Sequence, residues 1–287
     1  MNHSMINAAV SMQAIQQKLD VIAHNIANVN TTGYKRREAS FQDILTNVYR
    51  QPSGFELPGR LTPLGLPQGW GAKIGQIGLA MEQGSLMPTH RPYDLALEGD
   101  GLFEIRLNVP DENGNPQVRW TRDGSFQLTY DPADPGMMVL ATQEGYPVIG
   151  TDEEPVRIPV NHTPRIDEEG RVFVTDNANP EAEPVLFGQL KIIRAIRPQV
   201  LINDGINLFR LPPGTAAEGV LETVDMAENR GGDERSIAVR QGFLEQSNVS
   251  LTDEMTELMT VQRAYQLNAR AIVSSDNLMS LANNLRA

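Results

Sequence analysis

The first thirty residues carry an apolar stripe whose spacing suits a helix packed against other helices. Apolar residues alternate at intervals of three and four for more than three heptads, with neither proline nor glycine before Gly33. The stripe consists of Met5, Ala8, Met12, Ile15, Leu19, Ile22, Ile26 and Val29. Such a period of about 3.5 residues is typical of coiled coils. We predict a helix from about Ser4 to Val29, about 39 Å long at about 1.5 Å per residue.

Asparagines mark the end of this helix and recur inside the other one. Asn28 and Asn30, followed by Gly33, form a natural helix stop, and capping accounts for both amides. Asparagine is a poor interior helix former whose amide both donates and accepts hydrogen bonds. Asn25 and Asn268 lie within the predicted helices. We expect these two amides to set the register of a helix bundle, as a buried polar residue does at a cost in stability.

The C-terminal segment mirrors the first. Ser250–Arg286 contains neither proline nor glycine, and Ser250 can cap a helix with Asp253 and Glu254 in its first turn. Asn268 and Ser275 interrupt its apolar stripe, which consists of Leu251, Leu258, Val261, Tyr265, Ile272, Met279 and Ala282. One such helix alone could equally pack on the core of its own domain. Two of them, at the two ends of one chain, favour association between helices.

Between the helices, glycine, proline and short apolar runs replace the helical pattern. Residues 35–80 are rich in glycine and proline and predict a connector with little regular structure, either a mobile linker or a strap ordered by its neighbours. Residues 81–247 alternate between short apolar segments and turns, among them Asn113-Gly114 and Asp123-Gly124, which are typical of hairpins. The predicted strands are 102–107, 118–121, 125–130, 137–141, 171–175, 184–193 and 208–211.

Together these patterns predict an α+β fold. Long N- and C-terminal α-helices form a coiled-coil-like stem, and the central domain is mostly β. We assign residues 1–34 to the N-terminal helix of a core domain and 35–80 to the connector. Residues 81–247 form the mostly-β outer domain, and 248–287 form the C-terminal helix of the core domain.

Charge and composition exclude several function classes. The net charge is −12, and residues 51–247 carry −13 because the two ends of the chain nearly balance. An acidic middle repels phosphate backbones, so we expect no nucleic-acid binding. The absence of cysteine excludes structural disulfides and thiolate metal sites. The sequence contains no run of about 18 apolar residues, so we expect no membrane insertion. Residues 1–10 lack the basic and apolar parts of a secretory signal.

The polar residues form no recognisable catalytic pattern. The four histidines share no ligand spacing. Residues 111–116 resemble the start of a calcium loop, but Pro116 stands where that loop needs glycine. The glycines of residues 69–75 do not match a dinucleotide fingerprint, and no Gly-x-Ser-x-Gly elbow occurs. We expect no enzyme activity, no cofactor and no metal. A carboxylate-based hydrolase is the enzymatic alternative.

Several stretches resemble one family's shared motifs. Residues 22–35, Ile-Ala-His-Asn-Ile-Ala-Asn-Val-Asn-Thr-Thr-Gly-Tyr-Lys, are similar to the N-terminal signature of bacterial flagellar rod and hook proteins. Residues 242–250, Gly-Phe-Leu-Glu-Gln-Ser-Asn-Val-Ser, resemble its C-terminal signature, together with 254–255 and 262–269. Residues 94–103 and 121–126 resemble its β-domain motifs. The matches follow the family's order over almost the whole chain, although His24 replaces a commoner asparagine and the opening residues differ from the usual distal-rod start.

The resemblance implies a structural subunit of the flagellar basal-body rod that polymerises through its terminal helices into a hollow drive shaft used for motility. The helices would form the inner tube, or axial core, with the β domain outside. Length and connector most resemble distal rod subunits, and proximal rod subunits come second. The open alternatives are a proximal rod or hook-type axial subunit, a wall-degrading enzyme associated with rod growth, and an adhesin-like surface protein.

The resemblance also implies partners and a route. The partners would be copies of the chain, other axial proteins of the rod and hook, the flagellar type III export apparatus, and a ring or bushing protein. The subunit would cross the cytoplasmic membrane unfolded, without a cleaved signal peptide, and reside in the flagellar basal body.

The expected assembly residues lie at the two ends of the chain. A lone helix with nothing to cover its stripe is marginal, so we expect the termini to be partly disordered in a free monomer and to order on assembly. The expected assembly residues are Met5, Met12, Ile15, Leu19, Ile22, Asn25, Ile26, Asn28, Val29, Asn30, Gly33, Tyr34, Asn248, Leu251, Leu258, Val261, Gln262, Tyr265, Asn268, Ile272 and Met279.

Overall fold

A computed structural model of the chain has a mostly-β region and two long helices. It describes residues 2–44, 47–49, 66–69, 71–110, 116–131, 134–176, 183–205, 207–215, 217, 219–226 and 236–285. The chain divides into two compact units. The helix unit comprises Met1–Ala27, Arg37–Gly78 and Ser250–Ala287, and the β unit comprises Asn28–Arg36 and Leu79–Val249. This arrangement confirms the α+β class, with one helix near each end of the chain.

The helix unit contains both terminal helices and four short strands. Its elements are α1 (Asn2–Ala27), β1 (Arg37–Asp43), β2 (Asn47–Tyr49), β3 (Leu66–Gln68), β4 (Ala72–Leu79) and α2 (Leu251–Asn284). Strand β1 pairs with β4, and β2 pairs with β3. At the start of α2, the Ser250 hydroxyl lies 3.5 Å from the Asp253 amide nitrogen, which is the capping position that the sequence predicts. Both predicted helices are confirmed, with ends shifted by one or two residues.

The expectation of little regular structure in residues 35–80 is wrong for its described part, because β1 to β4 lie there. Glycine usually weakens a strand, but Gly75 lies inside β4, near the Gln42 side chain. A Cβ atom at Gly75 would meet only the flexible end of the Gln42 side chain, which can move aside, so no close backbone approach requires this glycine. The expected breakers that lie outside the described residues are Pro52, Gly54, Pro58, Gly59, Pro63 and Gly65.

The β unit is built from short antiparallel strands. They are β5 (Leu86–Pro88), β6 (Leu95–Glu98), β7 (Gly101–Pro110), β8 (Pro116–Thr121), β9 (Gln127–Tyr130), β10 (Met137–Ala141), β11 (Arg157–Pro159), β12 (His162–Ile166), β13 (Arg171–Asp176), β14 (Val185–Gln189), β15 (Ile192–Ala195), β16 (Ile202–Asn203), β17 (Leu208–Arg210), β18 (Leu221–Thr223), β19 (Ala238–Gln241) and β20 (Phe243–Glu245). The largest sheet has the order β16-β17-β8-β7-β15-β18. Smaller sheets are β11-β10-β9, β12-β13-β14, β19-β6 and β20-β5.

Strand β7 contributes to both hydrophobic clusters of the β unit. Phe103 and Ile105 lie in the larger cluster, where Phe103 packs edge-on against Phe126 with ring centroids 5.1 Å apart. Leu102 points the other way, into a smaller cluster that contains Trp120 and Phe209. Successive residues of a strand face opposite sides of its sheet, so the six-stranded sheet is covered on both faces around β7.

The predicted strands are found with small shifts, with two exceptions. Residues 184–193 form two strands in different sheets, β14 and β15, because the chain leaves the first sheet at Leu190, which bridges to Gly150. Asp123-Gly124 does not close a hairpin, because β8 and β9 belong to different sheets. A Cβ atom at Gly124 would collide with the Leu95 carbonyl oxygen, so this glycine serves a close backbone approach.

Short strands are the main omission of the sequence analysis. Besides β1 to β4, the described strands without a prediction are β5, β6, β11, β12, β16, β18, β19 and β20. Asn113-Gly114 lies outside the described residues, although the flanking strands β7 and β8 pair as an antiparallel hairpin requires.

Candidate functional site: the terminal helices and their anchors

The two terminal helices pack along each other in the helix unit. Asn25, near the end of α1, donates a hydrogen bond from Nδ2 to Glu254 Oε1 at 3.3 Å, near the start of α2. Lys18, two turns earlier in α1, forms an ion pair with Glu257, one turn later in α2. The earlier residue of α1 thus contacts the later residue of α2, so the helices are antiparallel.

The Asn25 amide links three elements of the helix unit. Its side chain is 1% exposed. Nδ2 donates to the Arg37 carbonyl oxygen at 3.0 Å, while Oδ1 accepts from the Arg37 amide at 3.0 Å. The side chain therefore pairs with the first residue of β1 as a neighbouring strand would, and also reaches α2 through Glu254. A register-setting amide, as the sequence analysis expects of Asn25, needs this kind of position.

One row of residues on α1 is more deeply buried than the predicted stripe. Within the stripe Ile22 is fully buried, whereas the other members are only half-buried: Met5, Ala8, Met12, Ile15, Leu19, Ile26 and Val29. The better covered row holds Ala14 and Val21. Lys18, on the same side, lies over the Phe41 ring of β1, 5.4 Å from its centroid. Sequence analysis missed this row because two alanine or valine positions at seven-residue spacing give a weak signal beside the main stripe.

Helix α2 has apolar residues on two sides. On the first side, Val261 is buried and four members of the predicted stripe are half-buried: Leu258, Tyr265, Ile272 and Met279. Asn268, which interrupts the stripe, is half-buried too. Around the rest of the helix, eight apolar residues are between 47% and 89% exposed: Leu251, Met255, Met259, Leu267, Val273, Leu278, Leu281 and Leu285. We call this second set the outward face of α2. Among the expected assembly residues, Leu251 lies on this face, and Gln262 is exposed.

A short turn follows α1 in the β unit. The Thr31 amide donates to the Asn28 carbonyl oxygen at 3.1 Å, and the Thr31 hydroxyl donates to Asn28 Oδ1 at 3.2 Å. Val29 is half-buried and Asn30 is exposed. The turn stabilises the path of the chain where the sequence predicts a helix stop.

Gly33 holds the end of this turn close to two other segments. Its amide donates to the Glu245 carbonyl oxygen at 2.8 Å. Its φ is +66°, and a Cβ atom there would lie 2.6 Å from the Asp123 amide nitrogen. Both the left-handed conformation and the close approach require glycine. The next residue, Tyr34, is buried.

Asn248, just before α2 in the sequence, joins three segments of the β unit. Its Oδ1 accepts from the Arg36 amide at 2.7 Å. Its Nδ2 donates to the carbonyl oxygens of Ala80 at 2.9 Å and Glu82 at 3.0 Å. The Ala80 amide in turn donates to the Arg36 carbonyl oxygen at 2.8 Å. One amide side chain thus fixes the chain after α1, after β4 and before α2.

A buried ion cluster lies next to these hydrogen bonds. Glu245, Lys35 and Arg122 are each 2–3% exposed. Glu245 Oε1 accepts from Lys35 Nζ at 2.8 Å and from the Gly84 amide at 2.8 Å, and Oε2 accepts from Arg122 Nε. The Arg122 guanidinium also donates to the Leu97 carbonyl oxygen at 2.7 Å. We call Lys35, Arg122 and Glu245 the anchor cluster. Their spacing in the sequence gives no local signal, so sequence analysis missed them as a group.

Electrostatics in the anchor cluster favour a charged Glu245. Burial alone would raise the pKa of Glu245, but the charges of Arg122 and Lys35 and the hydrogen bonds from Lys35 and the Gly84 amide outweigh it and lower this pKa below its usual range. Burial and the charge of Arg122 lower the pKa of Lys35, against the opposing effect of Glu245. The cluster is closed to solvent, so it stabilises structure and offers no surface to a substrate.

Within the described residues, no group of three histidines, aspartates or glutamates is placed to hold a metal ion.

In the helix unit, burial and the charge of Arg37 lower the pKa of His24. No described helix is both long enough and apolar enough to cross a membrane. What the terminal segments offer is apolar surface that suits association between helices.

Known proteins match the chain at its ends and along its length. Residues 6–35 match the model of the flagella basal body rod protein family, and residues 240–285 match that of the flagellar basal body rod FlgEFG protein C-terminal family. The chain is 36% identical over 287 residues to the flagellar basal-body rod protein FlgG of Borreliella burgdorferi, covering 100% of this chain and 99% of the relative. Over 290 residues it is 32% identical to the flagellar hook-basal body complex protein FlhP of Bacillus subtilis, and over 291 residues 33% identical to FlgG of that bacterium, covering 100% of both chains each time.

We predict that Asn25→Ala loosens the start of β1 without unfolding the β unit. The variant removes both partners of the Arg37 backbone groups, and each unsatisfied buried group costs about 1–3 kcal/mol. Hydrogen exchange should show the Arg37 amide losing protection. Gln16→Ala, at an exposed position of α1, is the control and should leave that amide unchanged. Equal protection of Arg37 in the Asn25 variant would contradict the linking role.

We predict that Glu245→Gln destabilises the β unit by about 3–5 kcal/mol at neutral pH, because it leaves two buried cations without a counter-charge. Denaturant unfolding followed by fluorescence of the buried Trp120 measures this loss. Glu98→Gln, at an exposed ion pair with Arg240, is the control and should cost no more than about 1 kcal/mol.

The Glu245→Gln loss should depend on pH. Because the folded-state pKa of Glu245 is lowered, its charge contributes stability that is fully present above the unfolded pKa of about 4.3. That contribution is lost as the pH falls through the lowered folded-state pKa. The difference between wild type and variant should therefore shrink in acid. A difference that stays constant down to acid unfolding would contradict this assignment.

Proposed function

The chain belongs to the flagellar basal-body rod protein family, and we propose that it polymerises through α1 and α2 into the hollow drive shaft of the flagellar rod. It is a structural subunit of the rod and not an enzyme. The observation that carries the polymerisation proposal is the outward face of α2, where eight apolar side chains are at least 47% exposed.

The apolar side chains of the outward face are not covered by any described part of the chain. Soluble monomers rarely expose large contiguous apolar patches, and burial of apolar surface is the dominant favourable term in most protein–protein association. One side of α2 packs on α1, and the other is free for neighbours. Two different faces on one helix suit a heterologous contact, which extends into an open helical assembly instead of closing as a two-fold dimer. We propose that α1, α2 and their copies form a coiled-coil-like stem.

The expected assembly residues fall into groups with different roles in this proposal. Ile22, Asn25 and Val261 stabilise the helix unit from inside. Half-buried residues of both helices are to be covered further by neighbouring copies: Met5, Met12, Ile15, Leu19, Ile26, Leu258, Tyr265, Asn268, Ile272 and Met279. Leu251 and Gln262 are exposed and would contact neighbours directly. Residues that fix the chain at the helix ends act indirectly: Asn28, Val29, Asn30, Gly33, Tyr34 and Asn248.

The domain roles follow from the same proposal. Residues 1–34 and 248–287 would form the axial core, residues 81–247 the outer domain, and residues 35–80 the connection between them. Other axial proteins of the rod and hook would continue the shaft, and a ring or bushing protein would surround it. Similarity to proteins named FlgG supports a distal position in the rod. Similarity to the hook-basal body complex protein FlhP supports another axial position, such as the proximal rod, as the second candidate. A tagged chain located in isolated basal bodies distinguishes the two.

We further propose that the flagellar type III apparatus exports the chain without cleaving a signal peptide. The apolar stripe of α1 would then remain in the assembled rod from its first turn. Mass spectrometry of isolated basal bodies should recover an N-terminal peptide that begins at Met1 or Asn2. A peptide that begins after a cleavage within the stripe would contradict this route.

We predict that Leu267→Asp abolishes rod assembly and swimming while leaving the monomer folded. Leu267 is 64% exposed on the outward face, so the change should alter the free energy of unfolding by no more than about 0.5 kcal/mol. Swimming in soft agar and the rod content of isolated basal bodies measure the effect. Gln266→Asp, one residue earlier and also exposed, is the charge-matched control and should retain swimming. Normal swimming of the Leu267 variant would contradict assembly through this face.

A further inference from the structure

One sheet edge in the β unit is apolar and exposed. Among the described strands, β14 pairs only with β13, so it lies at the edge of the β12-β13-β14 sheet. Its first three residues, Val185, Leu186 and Phe187, are 59%, 55% and 42% exposed. Natural edge strands are usually protected from further pairing by charged side chains or proline, and β14 contains neither. The edge of β14 is therefore suited to accept another strand.

The segment that could cover this edge stops too early. Residues 149–151 run antiparallel beside residues 189–191. The chain then turns at Glu153, whose amide donates to the Gly150 carbonyl oxygen at 3.1 Å. Residues 185–188 consequently have no described strand on their far side. A strand added there would continue the line of residues 149–151 along β14.

A bulge in β14 provides an apolar wall on this open side. The ladder between β13 and β14 skips Phe187, because its two neighbours in β14 pair with consecutive residues of β13. Bulges at sheet edges often re-aim a side chain. Phe187 lines a groove of about 330 Å³ whose other lining residues come mostly from residues 150–157. The groove thus lies where an added strand would place its side chains.

Carboxylates border the same groove. The three consecutive carboxylates at residues 152–154 are exposed on the turn, and Glu183 is exposed two residues before β14. The cation in the lining, Arg157, already pairs with Asp131 at 2.8 Å and with Glu154 at 2.9 Å. The groove therefore presents an excess of negative charge, which favours a cationic partner.

We propose that the free edge of β14 binds an extended segment of another protein as an added strand, and that this segment carries lysine or arginine next to an apolar residue. Backbone hydrogen bonds to residues 185–188 give the affinity, and side-chain contacts give the specificity. The apolar residue packs on Phe187, and the cation lies beside Asp152. The proposal does not depend on the proposed polymerisation through the helices.

Charge argues against a second copy of the chain as the occupant. Residues 51–247 carry −13, so two β units repel each other. Two β14 edges paired with each other would also bring together both sets of carboxylates at residues 152–154, and like charges held side by side are destabilising. A different protein with a basic segment is attracted by the same charges.

Synthetic peptides test this surface on the purified full-length chain. The probe is a fluorescently labelled hexapeptide in which lysine and valine alternate, and fluorescence anisotropy measures its binding. A second peptide carries glutamate in place of lysine. A third keeps the lysines but has N-methylated backbone amides, which cannot donate hydrogen bonds. We expect the lysine peptide to bind, and each of the other two to bind at least about tenfold more weakly.

Hydrogen exchange locates the bound peptide. A saturating concentration of the lysine peptide should slow the exchange of backbone amides in β14, because an added strand pairs with them. Strand β16 is also at the edge of its sheet among the described strands, and it serves as the internal control. Its amides should exchange at the same rate with and without peptide.

Matched variants test the two parts of the groove. Phe187→Ser should weaken binding of the lysine peptide at least about tenfold. Tyr130→Ser removes another strand aromatic, which is 66% exposed, and should leave binding unchanged. Asp152→Lys should also weaken binding about tenfold, whereas Glu144→Lys, a charge-matched change at another exposed position of the β unit, should not. Circular dichroism checks that each variant remains folded.

Several results would overturn the proposal. They are no binding of the lysine peptide, equal binding of the glutamate or N-methylated peptide, and protection of β16 in place of β14. Slower exchange in β14 that grows with protein concentration without peptide would also overturn it, because the edge would then belong to a second copy. Rod formation is not measured in any of these experiments, so each of these results leaves the proposed function intact.

Discussion

Burial of one carboxylate is the constraint around which the described β unit is organised. A charged Glu245 can remain inside the protein only because Lys35 and Arg122 both reach it and the Gly84 amide completes its hydrogen bonds. These partners come from distant parts of the sequence, so one ionised group holds together the residues that follow α1, the loop after β8 and the strand that precedes α2. The Gly33 amide adds a backbone hydrogen bond to the Glu245 carbonyl oxygen, and the Asn248 side chain accepts a hydrogen bond from the Arg36 amide.

The helix unit shows a different balance, in which packing is left incomplete. Asn25 fixes α1 against β1 and α2 through three hydrogen bonds, and Ile22 and Val261 are also buried. Away from this point, the predicted stripes are half-buried and the outward face of α2 is exposed. A subunit that must join identical copies benefits from this division, because a few specific contacts hold the helix pair while the remaining apolar surface stays available to neighbours.

The parts of this structure that sequence could predict are those with a local period. The helices follow from apolar spacing of three and four residues, and strands such as β7 and β10 follow from alternation and length. Two- to four-residue strands carry too few positions to show a period, so β16 and β18 escaped prediction. Gly75 was misleading, because it lies inside β4 although glycine usually weakens a strand. The anchor cluster and the outward face were missed for another reason. The anchor cluster depends on pairing between residues more than a hundred positions apart in the sequence. Most residues of the outward face lie outside the apolar stripe from which α2 is predicted.

The long sequence separation within the anchor cluster has a consequence for the order of folding. Lys35 and Glu245 are 210 residues apart, and Arg122 and Glu245 are 123 apart. When the chain emerges with its N-terminus first, Lys35 and Arg122 appear long before Glu245, which neutralises them. Until then, burial of Lys35 and Arg122 would leave two charges uncompensated, so the β unit cannot close early. Premature compaction is thereby disfavoured, and the final step of folding waits for a residue that lies just ahead of the last helix.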